Sequence, residues 1–289
     1  MKDIAITTSS GGYKAVFIHG VLSLFEKENF LAEAYASCSS SALVAALATI
    51  KKINTISISI WNEGNKITKI PGNSMSNAQL FGIKKLLPIL ESGLFNSPRR
   101  FLVSISFVKT KEAAIETQSE KSRRLGLKLL IEAGKNITAW RDNNLENHLF
   151  ETFKDNRTRL ITPENLKDVL YATTRMMHAW HIPAFIDGEP YIDGSYTSIC
   201  PVIPIADLGY KRIICITTEH DKTKLDLFSD KFIPERINNT VITFIKPDYN
   251  LADIGVDFTK VSLKGIEKAF QHGVEKAKDF IKQGLVKTV

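Results

Sequence analysis

The sequence predicts an α/β fold on a parallel sheet, and three observations carry the prediction. Two short apolar runs, 3–8 and 34–36, each end in a turn of small residues and lead into a helix-forming stretch. Late in the chain the alternation returns, with strand-like runs at 212–216 and 241–246. The composition supports a large core: 289 residues, 44% hydrophobic and 24% charged, which excludes a disordered or fibrous chain.

The elements follow in order. The first strand breaks at Ser9-Ser10-Gly11-Gly12, and a helix over about 13–28 carries Phe17, Val21 and Phe25 on one face, beside Ile18 and Leu22. The run 34–36 leads through five small residues, 37–41, into 42–48, whose alanines and leucines favour helix. Residues 51–135 interrupt this rhythm. Pro71-Gly72-Asn73 and Asn96-Ser97-Pro98 punctuate them, and helical stretches near 79–91 and 112–133 predict a helical, lid-like insertion within a single domain, 1–289. A helix is expected near 164–175, then turns from 182 to 195. A final helix over 262–284 has Ile266, Phe270, Val274, Ala277, Phe280 and Ile281 on one face.

Charge is unevenly distributed. The net charge of +7 is a local excess of +9 in 51–135, where fifteen Lys and Arg face six Glu, against −2 elsewhere. Such a segment suits an anionic surface. Its aromatics fit helix cores, and no nucleic-acid-binding module is visible, so a nucleic-acid partner is not expected.

Three cysteines, Cys38, Cys200 and Cys215, without a C-x-x-C pair argue against a disulfide framework or a cysteine zinc site. His178 and His181 lack a third ligand, and the glycine turn lacks the third glycine of a dinucleotide site, so neither metal nor cofactor is expected. The N-terminal residues lack the apolar stretch of a secretory signal, and no apolar run approaches the roughly 18 residues of a membrane span. A cytoplasmic or peripheral membrane location is the expectation.

Three turns carry candidate chemistry. At a sharp strand-to-helix turn an apical serine is presented clear of the backbone, and small residues are needed two before and two after it. Ser39, between Ser37 and Ser41, fits that position, although a serine run before a helix is ordinarily an N-cap. Upstream, the amides of Gly11 and Gly12 stand at another strand-to-helix turn and can form an oxyanion hole. Downstream, Asp193-Gly194 places a carboxylate in a tight turn, where it can act as a general base toward Ser39.

Together these segments resemble the patatin-like phospholipase family, whose G-G-G-x-[RK]-G loop, G-x-S-x-G elbow and D-G-[GA] motif occur in this order. Here they read Ser10-Gly11-Gly12-Tyr13-Lys14-Ala15, Ser37-Cys38-Ser39-Ser40-Ser41 and Asp193-Gly194-Ser195. Tyr171-Ala172-Thr173-Thr174 and the stretch 183–188 look like the family's approach to its aspartate, and the resemblance covers about 3–60 and 160–285. It implies a three-layer α/β/α fold and a serine hydrolase of lipid or phospholipid esters, working through a Ser39–Asp193 dyad and an acyl-enzyme at an anionic membrane surface. In that reading Gly11 and Gly12 bind the oxyanion, Ser37, Ser41 and Gly194 support the elbow and the aspartate turn, and Lys14 fixes the loop or attracts a phosphate. No feature identifies an activating protein partner. Serine at 10, 37, 41 and 195 and alanine at 15 depart from the pattern, and a Cβ at such sites costs of order 1 kcal/mol. An inactive or slow relative that binds lipid or a partner is the alternative.

Overall fold

Ten strands and ten α-helices lie along residues 3–284, the part of the chain that the computed structural model describes; residues 1–2 and 285–289 of the expected domain lie outside it. The strands are β1 (Ile4–Thr8), β2 (Ala34–Cys38), β3 (Arg100–Val108), β4 (Leu145–Glu151), β5 (Arg159–Leu160), β6 (Phe185–Ile186), β7 (Glu189–Ile192), β8 (Arg212–Ile216), β9 (Arg236–Ile237) and β10 (Thr240–Ile245). The helices are α1 (Ala15–Lys27), α2 (Ser41–Thr49), α3 (Ser59–Thr68), α4 (Met75–Leu94), α5 (Lys111–Thr117), α6 (Ser122–Gly134), α7 (Ala139–Asn144), α8 (Leu166–Ala172), α9 (Val202–Asp207) and α10 (Leu263–Lys282).

One mixed, mostly parallel sheet runs through the described residues in the order β5-β4-β3-β2-β1-β8-β10-β9. Its central five strands, from β3 to β10, are mutually parallel, while β4 and β9 pair antiparallel to their inner neighbours. The short β7 also pairs antiparallel with β3, matching Ile192 to Ser106. Side chains alternate between the two faces with period two. Ile6, Tyr35, Val103 and Ile214 enter one core with Phe17, Val21 and Phe25 of α1 and Ile266 and Phe280 of α10. Ala5, Ala34, Ala36, Leu102 and Ile213 face the other core, closed by Val202 and Ile205 of α9. Both faces are therefore covered, an α/β arrangement compatible with three layers.

The expected helical insertion over 51–135 needs correction. Arg100–Val108 within it is a sheet strand, β3, paired with β2 over five residues from Ala34↔Arg100 to Cys38↔Ser104. Its apolar run is bounded by turns and too short to show a helical period, and burial on both faces removes strand alternation. The helix expected over 112–133 is two helices, α5 and α6, separated at 118–121, and the turns of 182–195 include the β6–β7 hairpin. Within the segment α3 packs on α4, and α4 in turn on α2 and α8. Among the described residues no helix is long and apolar enough to cross a membrane.

The edge of the parallel block carries a buried charge. Glu151 of β4 is fully buried, and its carboxylate is held by the guanidinium of Arg100 on β3 and by the Thr158 hydroxyl at 3.1 Å. Removing one partner leaves an uncompensated buried charge. Arg100→Leu is expected to lower unfolding stability in urea by about 3–5 kcal/mol, and Glu151→Gln in the same chain to restore much of it.

Candidate active site

The site lies at the carboxyl ends of β1 and β2, where loops of an open parallel sheet converge. Ser39 takes the first position after β2 in left-handed backbone, φ 61°, before the chain enters α2. This conformation is uncommon for a residue with a Cβ and characterises the strained turn that presents a nucleophile. The turn is held from three sides. The Ser39 amide donates to Thr173 Oγ1 at 2.9 Å, the Thr173 hydroxyl donates to the Ser104 carbonyl at 2.8 Å, and the Ser39 carbonyl accepts from the Ala42 amide at 3.0 Å.

The flanking serines occupy the glycine positions of the expected motif without opening the turn. Ser37 Oγ donates to the Leu102 carbonyl at 3.3 Å, while Ser41 Oγ donates to the Cys38 carbonyl at 2.9 Å and shares a 2.9 Å contact with Thr8 Oγ1. Both side chains are fully buried. Their hydroxyls thus have the partners that burial demands.

Asp193 reaches Ser39 across 154 residues of chain: Ser39 Oγ donates to Asp193 Oδ2 at 2.7 Å. The other carboxylate oxygen accepts from the Ser195 amide at 2.8 Å and from the Ser195 hydroxyl. The Asp193 backbone is pinned too, its amide donating to the Arg175 carbonyl at 3.1 Å and its carbonyl accepting from Ser106 Oγ at 2.8 Å. Gly194 is required by contact, since a Cβ there would stand 2.3 Å from the Ser104 carbonyl oxygen. Asp193 is fully buried. Burial pushes its carboxyl up to about 6, against the lowering effect of the bonds from Ser195 and Ser39.

The glycine loop sits beside this pair. Ser40 Oγ donates to the Gly12 carbonyl at 2.8 Å and ties loop to elbow. Gly12 has φ 56°, and a Cβ on it would lie 2.0 Å from the Phe258 carbonyl, which accepts from the Tyr13 amide at 3.1 Å. Among the described residues the amides of Gly11, Gly12 and Ser40 donate to no protein acceptor. Lys14, with a side chain only 12% exposed, pairs with Glu219 at 3.0 Å, which fixes the loop against the turn after β8 and engages the ammonium that a phosphate would need.

Next to the elbow is a small apolar cavity of about 70 Å³, lined by Gly12 and Ser40 together with Leu43, Trp61, Gly82 and Leu86. That is room for several water-sized groups. His19 in its wall is held neutral, burial pushing it down to about 4, and its Nδ1 accepts from Trp61 Nε1 at 3.1 Å. Ser39 itself is 1% exposed, and its neighbour Ser40 lines the cavity.

All eight sequence-derived site residues, Gly11, Gly12, Lys14, Ser37, Ser39, Ser41, Asp193 and Gly194, meet at this one edge of the sheet. Thr173, Ser195, Ser106 and the Ser40 amide were not singled out as site residues. The phrase Tyr171-Ala172-Thr173-Thr174 contains one of them, whereas Ser106 lies on β3, within the segment expected as an insertion.

The buried carboxylate has a stability signature. The folded protein holds the Asp193 proton more tightly than the unfolded chain, where aspartate titrates near 3.9, so wild type gains stability as pH falls from about 7 to about 4. An amide at 193 keeps the same shape and can donate to Ser39 Oγ while accepting from Ser195. Asp193→Asn should therefore be about 2–3 kcal/mol more stable than wild type near pH 8, with the difference vanishing near pH 4 in paired denaturation curves.

No protein-family model matches the chain, and no curated protein matches it.

Proposed function

We propose that this protein is a serine acyl hydrolase that cleaves carboxylic esters of lipid type, phospholipids among them, through Ser39 and Asp193. The observation that carries the reading is the 2.7 Å bond from Ser39 Oγ to a buried carboxylate, formed at a serine in left-handed backbone. A serine hydroxyl is a weak nucleophile until a base accepts its proton. Asp193, raised to about 6, is a stronger base than an exposed aspartate and remains ionised at neutral pH.

The chemistry follows from the contacts. Asp193 takes the proton as Ser39 Oγ attacks the ester carbonyl. The oxygen of the tetrahedral intermediate turns to the unpaired amides of Gly11 and Gly12, with Ser40 as a third donor. Return of the proton from Asp193 to the leaving alkoxide frees the alcohol and leaves an acyl-Ser39. Water, activated by the same carboxylate, then releases the acid. The apolar cavity that Gly12 and Ser40 help to line supports an acyl chain as the group held next to the reacting carbonyl.

Assays with p-nitrophenyl esters of graded chain length test the reading. Ser39→Ala is expected to lower kcat/KM by roughly 10⁴-fold or more. Wild-type kcat/KM should fall about tenfold per pH unit below a midpoint near 6, where protonated Asp193 no longer accepts, and level off above it. Gly12→Ala should cost about 10²–10³ in kcat by disturbing the loop amides. Lipid-vesicle binding by a folded wild type that turns over no ester would instead support a binding role.

The cavity also sets a chain-length limit. A Cβ at Gly82 would enter it with Leu43 Cδ1 as nearest neighbour, at 3.7 Å, so a larger side chain fits by occupying the space. Gly82→Leu should lower kcat/KM for octanoyl relative to acetyl esters by about tenfold or more, leaving the acetyl rate within a few-fold of wild type.

A further inference from the structure

Helix α6 packs on the rest of the molecule through Leu125, Gly126, Leu129 and Ala133. At Gly126 the approach is so close that a Cβ would stand 2.6 Å from the His178 amide nitrogen. At 100° per residue the opposite face carries Leu127 and Ile131, one turn apart, as its crest. They are 48% and 62% exposed, and Ile137, just beyond the helix, is 45% exposed. Arg123 flanks the crest on one side, and Arg124, Lys128 and Lys135 flank it on the other. Glu132 is the single acid from 122 to 135, and it is engaged by Lys128 at 3.6 Å. The acids nearest before it, Glu112, Glu116 and Glu120, belong to α5 and the turn after it, so the crest's own flanks are cationic.

We infer that this face of α6 docks the protein on an anionic phospholipid bilayer. Two exposed aliphatic side chains between cations match the layered chemistry of a membrane surface. Leu127 and Ile131 reach the acyl boundary while the guanidinium and ammonium heads stay at the phosphates. A nucleic acid would be met by cations with aromatics to stack on, and the exposed face of α6 carries none. Position supports the assignment: Met177 and His178, which α6 touches through Gly126, lead within two residues to Trp180 in the wall of the apolar cavity. Bilayer binding is independent of the hydrolase reading, because it needs neither Ser39 nor turnover.

Vesicle co-sedimentation in a Ser39→Ala background, where no lipid is consumed, tests the surface directly. Wild-type α6 should carry the protein to phosphatidylcholine vesicles containing about one part in three phosphatidylglycerol, much less to phosphatidylcholine alone, and added salt should release it. Arg123→Glu with Arg124→Glu should lower the partition coefficient about tenfold or more. Leu127→Ser with Ile131→Ser should lower it as well, whereas Lys268→Glu on the exposed side of α10 should leave it within twofold. All three variants lie on the surface, and circular dichroism checks that they fold. Equal binding by wild type and both α6 variants, or no preference for anionic vesicles, overturns the inference. So does a dimer dispersed by Leu127→Ser with Ile131→Ser in a protein that ignores vesicles, because the face would then join two copies. Unchanged hydrolysis of a soluble acetyl ester by the α6 variants in an otherwise wild-type chain separates docking from catalysis.

Discussion

The contact between the Ser39 hydroxyl and Asp193 Oδ2 is the constraint around which this edge of the molecule is organised. It joins a turn after β2 to a turn after β7, and it forms only because β7 adds antiparallel to β3, which in turn pairs parallel with β2. Thr173 and Ser106 then tie the two turns together through the Ser104 carbonyl and the Asp193 carbonyl. Backbone strain at Ser39 persists because these neighbours over-determine it.

The surroundings are polar and buried. Ser37, Ser41, Thr8, Ser104, Ser106, Thr173 and Ser195 are all buried around the pair, and each makes a hydrogen bond. A network satisfied in this way is rigid, and the low dielectric around it is what raises the carboxyl of Asp193. Stability and base strength are therefore opposed at residue 193. The burial that makes the carboxylate a useful base at neutral pH also makes it costly to keep ionised in the folded protein.

Much of this site was legible in the sequence because the turns depend on local composition. Small residues at 37–41, glycines at 11–12 and Asp193-Gly194 mark places where the backbone must turn sharply or be approached closely, and the structure brings them to one sheet edge. The serines at 37, 41 and 195 looked like losses relative to a glycine pattern. Their fit depends on acceptors supplied from distant chain, such as the Leu102 carbonyl for Ser37, which no local reading contains. The same limit hid β3. Its nine residues are buried on nearly every side, so neither strand alternation nor helical periodicity showed, and the surrounding lysines drew attention to charge. The basic excess of 51–135 belongs partly to a sheet edge, where Arg100 neutralises Glu151, and partly to the exposed face of α6.

In the proposed mechanism Ser39 is a nucleophile activated by Asp193. Labelling of the purified protein with a fluorophosphonate probe, followed by peptide mapping, tests it most directly. A single adduct on Ser39 is expected, formed faster as pH rises through about 6 and lost in folded Asp193→Asn. Absence of labelling in the folded wild type, with and without anionic vesicles, or labelling that survives Asp193→Asn unchanged, would contradict it.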